Sequence, residues 1–190
     1  YSFDMLGEAA LTRRDSDRYL QSYRDAITAI GRRKRPDDIF AAPSISVKLS
    51  ALNPRFEQGQ RRRVLRELTP RLLELAQLAM ANHMALTVDT EEADRLMLTL
   101  DVFGAVMRES DLAGWNGLGL ALQTYQKRAV AVIDWLAELS RQTGQRIPVR
   151  LVKGAYWDSE IKHAEVEGYA GYPVFTRKAN TDVSYIACAK

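Results

Sequence analysis

The chain has 190 residues, 46% hydrophobic and 27% charged, with a formal net charge of +3 and a single cysteine, Cys188. That is enough chain for one domain with a buried core, and a charge excess this mild does not imply a nucleic-acid partner. No apolar run reaches membrane-spanning length, no basic–apolar–small signal segment opens the chain, and one cysteine excludes an internal disulfide and points to a reducing compartment.

Short segments that alternate every second residue are separated by amphipathic stretches of helical period. The first strand is expected over Ser2 to Glu8, and an opening this abrupt leads us to expect the natural N-terminus upstream. A helix follows from near Asp15, a good N-cap residue, with Tyr19, Leu20, Tyr23, Ile27 and Ile30 on one face. Strand two is expected over Ile45 to Ala51, and a helix from Gln60 to Ala81 carries the stripe Leu65, Leu68, Leu72, Leu75 and Leu78. Pro70 should kink or split that helix. Strand three runs from Leu86 to Thr90, with Thr90 capping a helix from Glu91 to Arg108 whose buried face is Leu96, Leu100, Phe103 and Met107. Strand four spans Gly117 to Thr124, before a helix from Gln126 to Gln142 that ends at Gly144. Strand five spans Pro148 to Lys153; a short helix starts at Asp158, Gly168 to Pro173 reads as loop, and Thr181 opens a last helix.

Strands alternating with helices long enough for crossovers predict a parallel sheet with right-handed connections. An open doubly wound sheet and a (β/α)8 barrel both fit that order. An open parallel sheet buries both faces, so its strands should be apolar throughout. These strands are not. Ile45, Val47, Leu86, Val88, Leu118, Leu120, Leu122, Val149 and Leu151 share faces that must meet the helices. The opposite faces gather Glu8, Lys48, Asp89, Gln123 and Arg150 near the C-terminal ends, where barrel active sites lie. Buried charge costs several kcal/mol per group unless paired, so this cluster reads as a site. The competing reading is a sheet with one solvated face.

Lys153-Gly154-Ala155-Tyr156-Trp157-Asp158 is a strand end, a glycine, two aromatics and a residue able to cap a helix. Its backbone N–H groups could hold an anion and its aromatics a flat ring. A purely structural turn is the alternative. Asp89-Thr90-Glu91-Glu92 could be an acid/base cluster; helix capping with first-turn acids accounts for Glu91 and Glu92 but not for the inward Asp89. Gly117-Leu118-Gly119 lacks the third glycine of a dinucleotide fingerprint. His83 and His163 lie 80 residues apart and lack metal-ligand spacing. The basic runs Arg32-Arg33-Lys34-Arg35 and Arg61-Arg62-Arg63 carry no interleaved aromatics and read as solvated surface, with anionic lipid or a partner domain as the alternative.

The strings Ser46-Val47-Lys48-Leu49-Ser50-Ala51-Leu52, Gln123-Thr124-Tyr125-Gln126-Lys127-Arg128 and Arg150-Leu151-Val152-Lys153-Gly154-Ala155-Tyr156-Trp157-Asp158 closely resemble proline dehydrogenases, in the form found in the bifunctional proline utilization A flavoproteins of Gram-negative bacteria. Tyr172-Pro173-Val174-Phe175-Thr176-Arg177-Lys178 and Thr181-Asp182-Val183-Ser184-Tyr185 extend the likeness, which covers essentially the whole chain. The resemblance implies the first five β/α units of a distorted, TIM-like (β/α)8 barrel with non-covalent FAD at its mouth. It implies oxidation of L-proline to 1-pyrroline-5-carboxylate by hydride transfer to flavin N5, with electrons passed to ubiquinone at the membrane. A cytoplasmic protein that associates peripherally with the membrane when reduced follows, as does a 1-pyrroline-5-carboxylate/glutamate semialdehyde dehydrogenase domain in the same longer chain. By the same resemblance, Arg150 lies beside the flavin, Gln123 and Asp89 contact it, and Lys153, Gly154, Ala155, Tyr156 and Trp157 form the loop along it. Lys48 pairs with the substrate carboxylate, Tyr156 packs on the proline ring, and Glu8 pairs with an arginine of the eighth helix.

Three further strands and that helix lie outside these residues, so the isolated segment is expected to be inactive. Two other readings stand beside a flavoenzyme segment. One is a catalytically silent partial barrel that associates through open sheet edges; the other is an aldolase-like barrel with Lys48 as a Schiff-base lysine.

Overall fold

A computed structural model of the chain describes residues 1–5, 7–32 and 36–190. Five strands, β1 (Ser2–Asp4), β2 (Ser44–Lys48), β3 (Leu86–Asp89), β4 (Leu118–Gln123) and β5 (Val149–Val152), form one sheet in sequence order, every neighbouring pair parallel. The connections carry α1 (Arg13–Gly31), the single turn α2 (Leu49–Leu52), α3 (Arg61–Ala81), α4 (Leu96–Met107) and α5 (Ala129–Thr143), with α6 (Trp157–Val166) and α7 (Lys178–Ala189) after β5. The Arg150 guanidinium on β5 reaches Ser46 Oγ on β2 at 2.8 Å. Three strand spacings separate those positions, roughly 14 Å in a flat sheet, farther than one arginine side chain spans. The sheet therefore curls, and the five units form the half-barrel that the alternation predicts.

The apolar faces fall where the two-residue period puts them. Ile45, Val47, Leu86, Val88, Leu118, Leu120 and Leu122 are buried against the helices, each such side chain contributing about 1.5–3 kcal/mol relative to exposure. Leu20, Tyr23 and Ile27 of α1, Leu68, Leu72 and Leu75 of α3, and Leu96, Leu100, Phe103 and Met107 of α4 complete the layer. No helix among the described residues is long and apolar enough to cross a membrane.

Several boundaries differ from expectation, each for an identifiable reason. β1 stops at Asp4, because Gly7 (φ +125°) and Ala9 (φ +53°) turn the chain away from an extended path. β2 stops at Lys48, and Leu49–Leu52 form a helical turn in place of the strand's last residues. Thr12, not Asp15, caps α1, its hydroxyl accepting the Asp15 amide N–H; Asp15 is the third helical residue, and its carboxylate accepts the Thr12 amide N–H in return, a reciprocal capping box. Pro70 lies inside α3 without splitting it. Thr90 caps nothing: α4 begins at Leu96, and the Thr90 hydroxyl donates to the Ala121 carbonyl at 2.6 Å. α5 begins at Ala129, because Gln126 is drawn into an isolated antiparallel bridge with Val174. Asp158 lies in the first turn of α6 without capping it, and Thr181 lies inside α7, which starts at Lys178. Arg61 and Arg63 pair with Asp101 at 2.7 Å and Glu67 at 3.1 Å; Leu6 and the basic residues 33–35 lie outside the described residues.

Candidate active site at the strand C-termini

The interior face of the sheet carries a chain of charge. Asp89, at the end of β3 and 8% exposed, receives the Arg150 guanidinium from β5 and faces the Lys48 ammonium of β2 at 3.7 Å. Lys48 also donates to Asp4 of β1 at 3.0 Å. Alternation puts all four on one face, and curvature brings strands that are not adjacent into contact. Burial raises the Asp89 carboxyl above its ordinary value, with Arg150 and Lys48 opposing. Burial works against the Lys48 charge, but Asp4, Asp89 and Glu8 together outweigh it and raise Lys48 above its ordinary value. A lysine held charged suits pairing with an anion. It does not suit the nucleophilic amine that a Schiff-base role requires.

Two buried tyrosines fix the height of this layer. Tyr23 of α1 accepts the Lys48 amide N–H at 3.2 Å, and Tyr125, just after β4, accepts the Tyr156 amide N–H at 2.9 Å. Burial pushes both hydroxyls up, so both stay neutral. Two threonines act as a matching pair: Thr90 donates to the Ala121 carbonyl at 2.6 Å and Thr124 to the Val152 carbonyl at 2.8 Å, joining each strand end to the next. Gln123 donates to the Thr90 carbonyl at 2.8 Å, while its Oε1 is buried without a partner.

Beyond β5, Gly154 at φ +79° turns the chain, with open space where a Cβ would stand. Lys153, Gly154 and Ala155 are exposed. Tyr156 turns inward, and its hydroxyl donates to Glu8 Oε2 at 3.3 Å. Glu8 thus reaches the mouth from the turn after β1 and not from the strand itself. The Trp157 indole N–H is held by the Phe175 carbonyl at 2.8 Å. Beside this turn lies a cavity of about 330 Å³ lined by Lys153, Gly154, Trp157, Thr176 and Lys178 among others. Lys153 and Lys178 both pair with Asp182, at 2.7 and 2.6 Å, and hold its carboxyl below the ordinary range.

Every site residue chosen from the sequence therefore lies at this mouth or its rim. Asp4, Tyr23, Tyr125, Thr176 and Lys178 join them without having been singled out for the site. Asp4 carried the right signal, since it shares the inward face of β1. Tyr23 and Tyr125 act through contacts 25 and 31 residues away along the chain, and Thr176 and Lys178 join by lining the cavity beside the Gly154 turn.

Residues 1–190 match the family model for proline dehydrogenase. The bifunctional protein PutA of Salmonella typhimurium is 54% identical over 190 residues, covering 100% of this chain and 14% of that protein. Its counterpart in Rhizobium meliloti is 50% identical over 186 residues, covering 98% of this chain and 15% of that protein. This chain thus spans about one seventh of the length of those curated relatives. A crystal structure of a Bradyrhizobium japonicum Proline Utilization A (PutA) variant is similar over the whole chain, with TM-score 0.97 and 57% identity, and 20% of that chain is covered. The Bdellovibrio bacteriovorus protein inactivated by N-propargylglycine is similar with TM-score 0.92 and 28% identity, with 21% of that chain covered. The fold, the matched family model and these identities agree: the chain belongs to the proline dehydrogenase family.

Proposed function

We propose that the protein containing this segment oxidises L-proline to 1-pyrroline-5-carboxylate with non-covalent FAD, and that the electrons pass to a membrane quinone. The observation that carries the reading is Lys48, held charged on the barrel interior beside Asp89 and Arg150. The residues fit the cofactor. Gln123 presents a buried, unpartnered acceptor, as the N–H edge of an isoalloxazine ring requires. The Gly154 turn leaves its backbone open, and Lys153 and Lys178, sharing the one carboxylate of Asp182, leave the cavity beside it with a positive balance of charge. Asp89, Gln123, Arg150 and Lys153 to Trp157 would hold the group, with Thr176 and Lys178. The chemistry that bound FAD supplies is two-electron oxidation of the substrate's C–N bond.

The chain's own residues bind and orient. Lys48 pairs with the proline carboxylate in a cavity where charge pairing is stronger than in water. Tyr156 offers its ring to the pyrrolidine ring, and Glu8 fixes the tyrosine hydroxyl. Arg150 places positive charge where negative charge develops, and Asp89 holds Arg150 in position. A 1-pyrroline-5-carboxylate dehydrogenase domain in the same longer chain, in keeping with relatives that are bifunctional and about seven times longer, and peripheral membrane association in the reduced state belong to the same proposal.

The test is visible flavin absorbance of the purified longer protein, its bleaching by proline without oxygen, and proline-dependent dye reduction. Absence of flavin even after FAD is supplied, or indifference of bound flavin to proline, overturns the reading. The 190-residue segment alone exposes β1 and β5 along open edges, and we expect it not to turn over. Dye reduction within tenfold of a typical rate of about 10 per second would refute that expectation.

A further inference from the structure

Glu91 has no part in the site described above, yet it is a carboxylate only 1% exposed, in the loop between β3 and α4. The first-turn position that the sequence predicts for it is wrong: no helix starts there, and the acid points into the protein. Its Oε1 accepts the Ser50 amide N–H at 3.1 Å, and its Oε2 meets the Arg95 guanidinium at 3.5 Å. Ser50, itself buried, is bonded twice to the segment that follows β1. The Ala9 N–H donates to Ser50 Oγ and the Ala10 N–H to the Ser50 carbonyl, both at 2.9 Å.

That segment holds an unfavourable backbone. Ala9 sits at φ +53°, a left-handed conformation that non-glycine residues adopt at a cost, and Gly7 sits at φ +125°. Such a conformation persists where the surroundings hold it, and the two bonds to Ser50 do so. Glu8 lies between these two residues, exposed to solvent and lacking strand bonds of its own. Its carboxylate is nevertheless aimed at the Tyr156 hydroxyl. Its direction must come from its neighbours.

We propose that Glu91 is a positioning residue, which through Ser50 clamps the Gly7–Ala10 turn and so holds Glu8 against Tyr156 at the mouth. The relay runs from the end of β3, through the first turn after β2, to the turn after β1, and ends on the ring that faces the substrate. Its consequence for proline binding rests on the function proposed above; the clamp itself does not.

The experiment uses the longer protein and reads amide hydrogen exchange in peptides covering residues 7–10. Glu91→Ala should raise exchange there about tenfold, the effect of losing a hydrogen bond that guards a local opening. Glu91→Gln, which keeps an acceptor for Ser50, should restore protection. Ser50→Ala should free the Ala9 amide while Glu91 is intact. In steady-state assays, Glu91→Ala and Glu8→Ala should raise the proline KM by similar factors with kcat preserved, and the double variant should match the singles. Unchanged exchange in Glu91→Ala, whatever Ser50→Ala does, or multiplying KM effects in the double variant, overturns the positioning role. Loss of protection with a normal KM in Glu8→Ala upholds the clamp and instead counts against the substrate-side function of Glu8.

Discussion

The centre of the sheet and its edges follow the same alternation and end up in different environments. β4 is buried along its whole length, and the interior groups of β2 and β3 are packed by strands on both sides. β1 is exposed throughout and β5 over its first half, although each contributes a charged residue to the same ion-pair chain. The Lys48 and Asp89 side chains keep 14% and 11% of their surface, Arg150 and Asp4 42% and 55%. Within this segment Lys48 and Asp89 are flanked by strands on both sides, while Arg150 and Asp4 stand on the outermost strands and are more exposed, though each keeps its partner, Asp89 and Lys48.

The sharpest attack on that contrast is Arg150→Met. If the edge arginine serves the cofactor, FAD content and the rate of flavin reduction by proline should fall, the rate by about 10²- to 10³-fold. Rapid-mixing absorbance in the longer protein measures this, and normal values would remove Arg150 from the site. Lys48→Ala should come next, raising the proline KM by about 10- to 100-fold with FAD retained, as expected for loss of a bond to a charged group. Loss of FAD with a normal KM would put Lys48 on the wrong ligand.

Glu91→Gln probes the buried centre through pH. Burial raises the Glu91 carboxyl to about 6 from 4.5, against the opposing bond from Ser50 and the Arg95 charge. The folded protein therefore holds this proton more tightly than the unfolded chain does. The stability it gives is fully present below pH 4.5 and is lost as pH rises through 6. At neutral pH the buried carboxylate costs ~2 kcal/mol. Glu91→Gln should recover about that much there and little in acid, measured by urea unfolding at both pH values. A pH-independent difference contradicts the assignment.

Asp4→Asn should have the smallest effect. Asp4 is a half-exposed competitor for the Lys48 ammonium, and pairs of that kind contribute under about 1 kcal/mol. Its removal should lower the proline KM about two- to threefold, within that limit; a rise instead would mean that Asp4 orients Lys48.

The centre of the fold was also the part most legible in the sequence. Period-two alternation assigned both faces of β2, β3 and β4, because strands flanked on both sides have little choice of environment. The same alternation placed Lys48, Asp89, Gln123 and Arg150 on the inward face, where Lys48, Asp89 and Arg150 meet. The misreadings cluster where tertiary contacts override local pattern. Alternation continues past Asp4 to Glu8, yet Gly7 and Ala9 end the strand. Thr90-Glu91-Glu92 has the composition of a helix start, but its groups are claimed by Ala121 and Ser50, and the neighbouring Ala93 amide by Glu160 at 2.5 Å. Those partners lie 31 to 67 residues away along the chain. Local propensity carries no information at that range.

The two buried tyrosine hydroxyls have a wider consequence. Each is a rigid rod with a fixed reach, planted outside the strand it serves and ending on the amide of a residue at the mouth. Together they act as depth gauges, setting how far Lys48 and Tyr156 stand above the floor of the barrel. Tyr23→Phe would therefore remove one gauge, leaving the Lys48 amide without that acceptor while every residue of the inward strand faces stays unchanged.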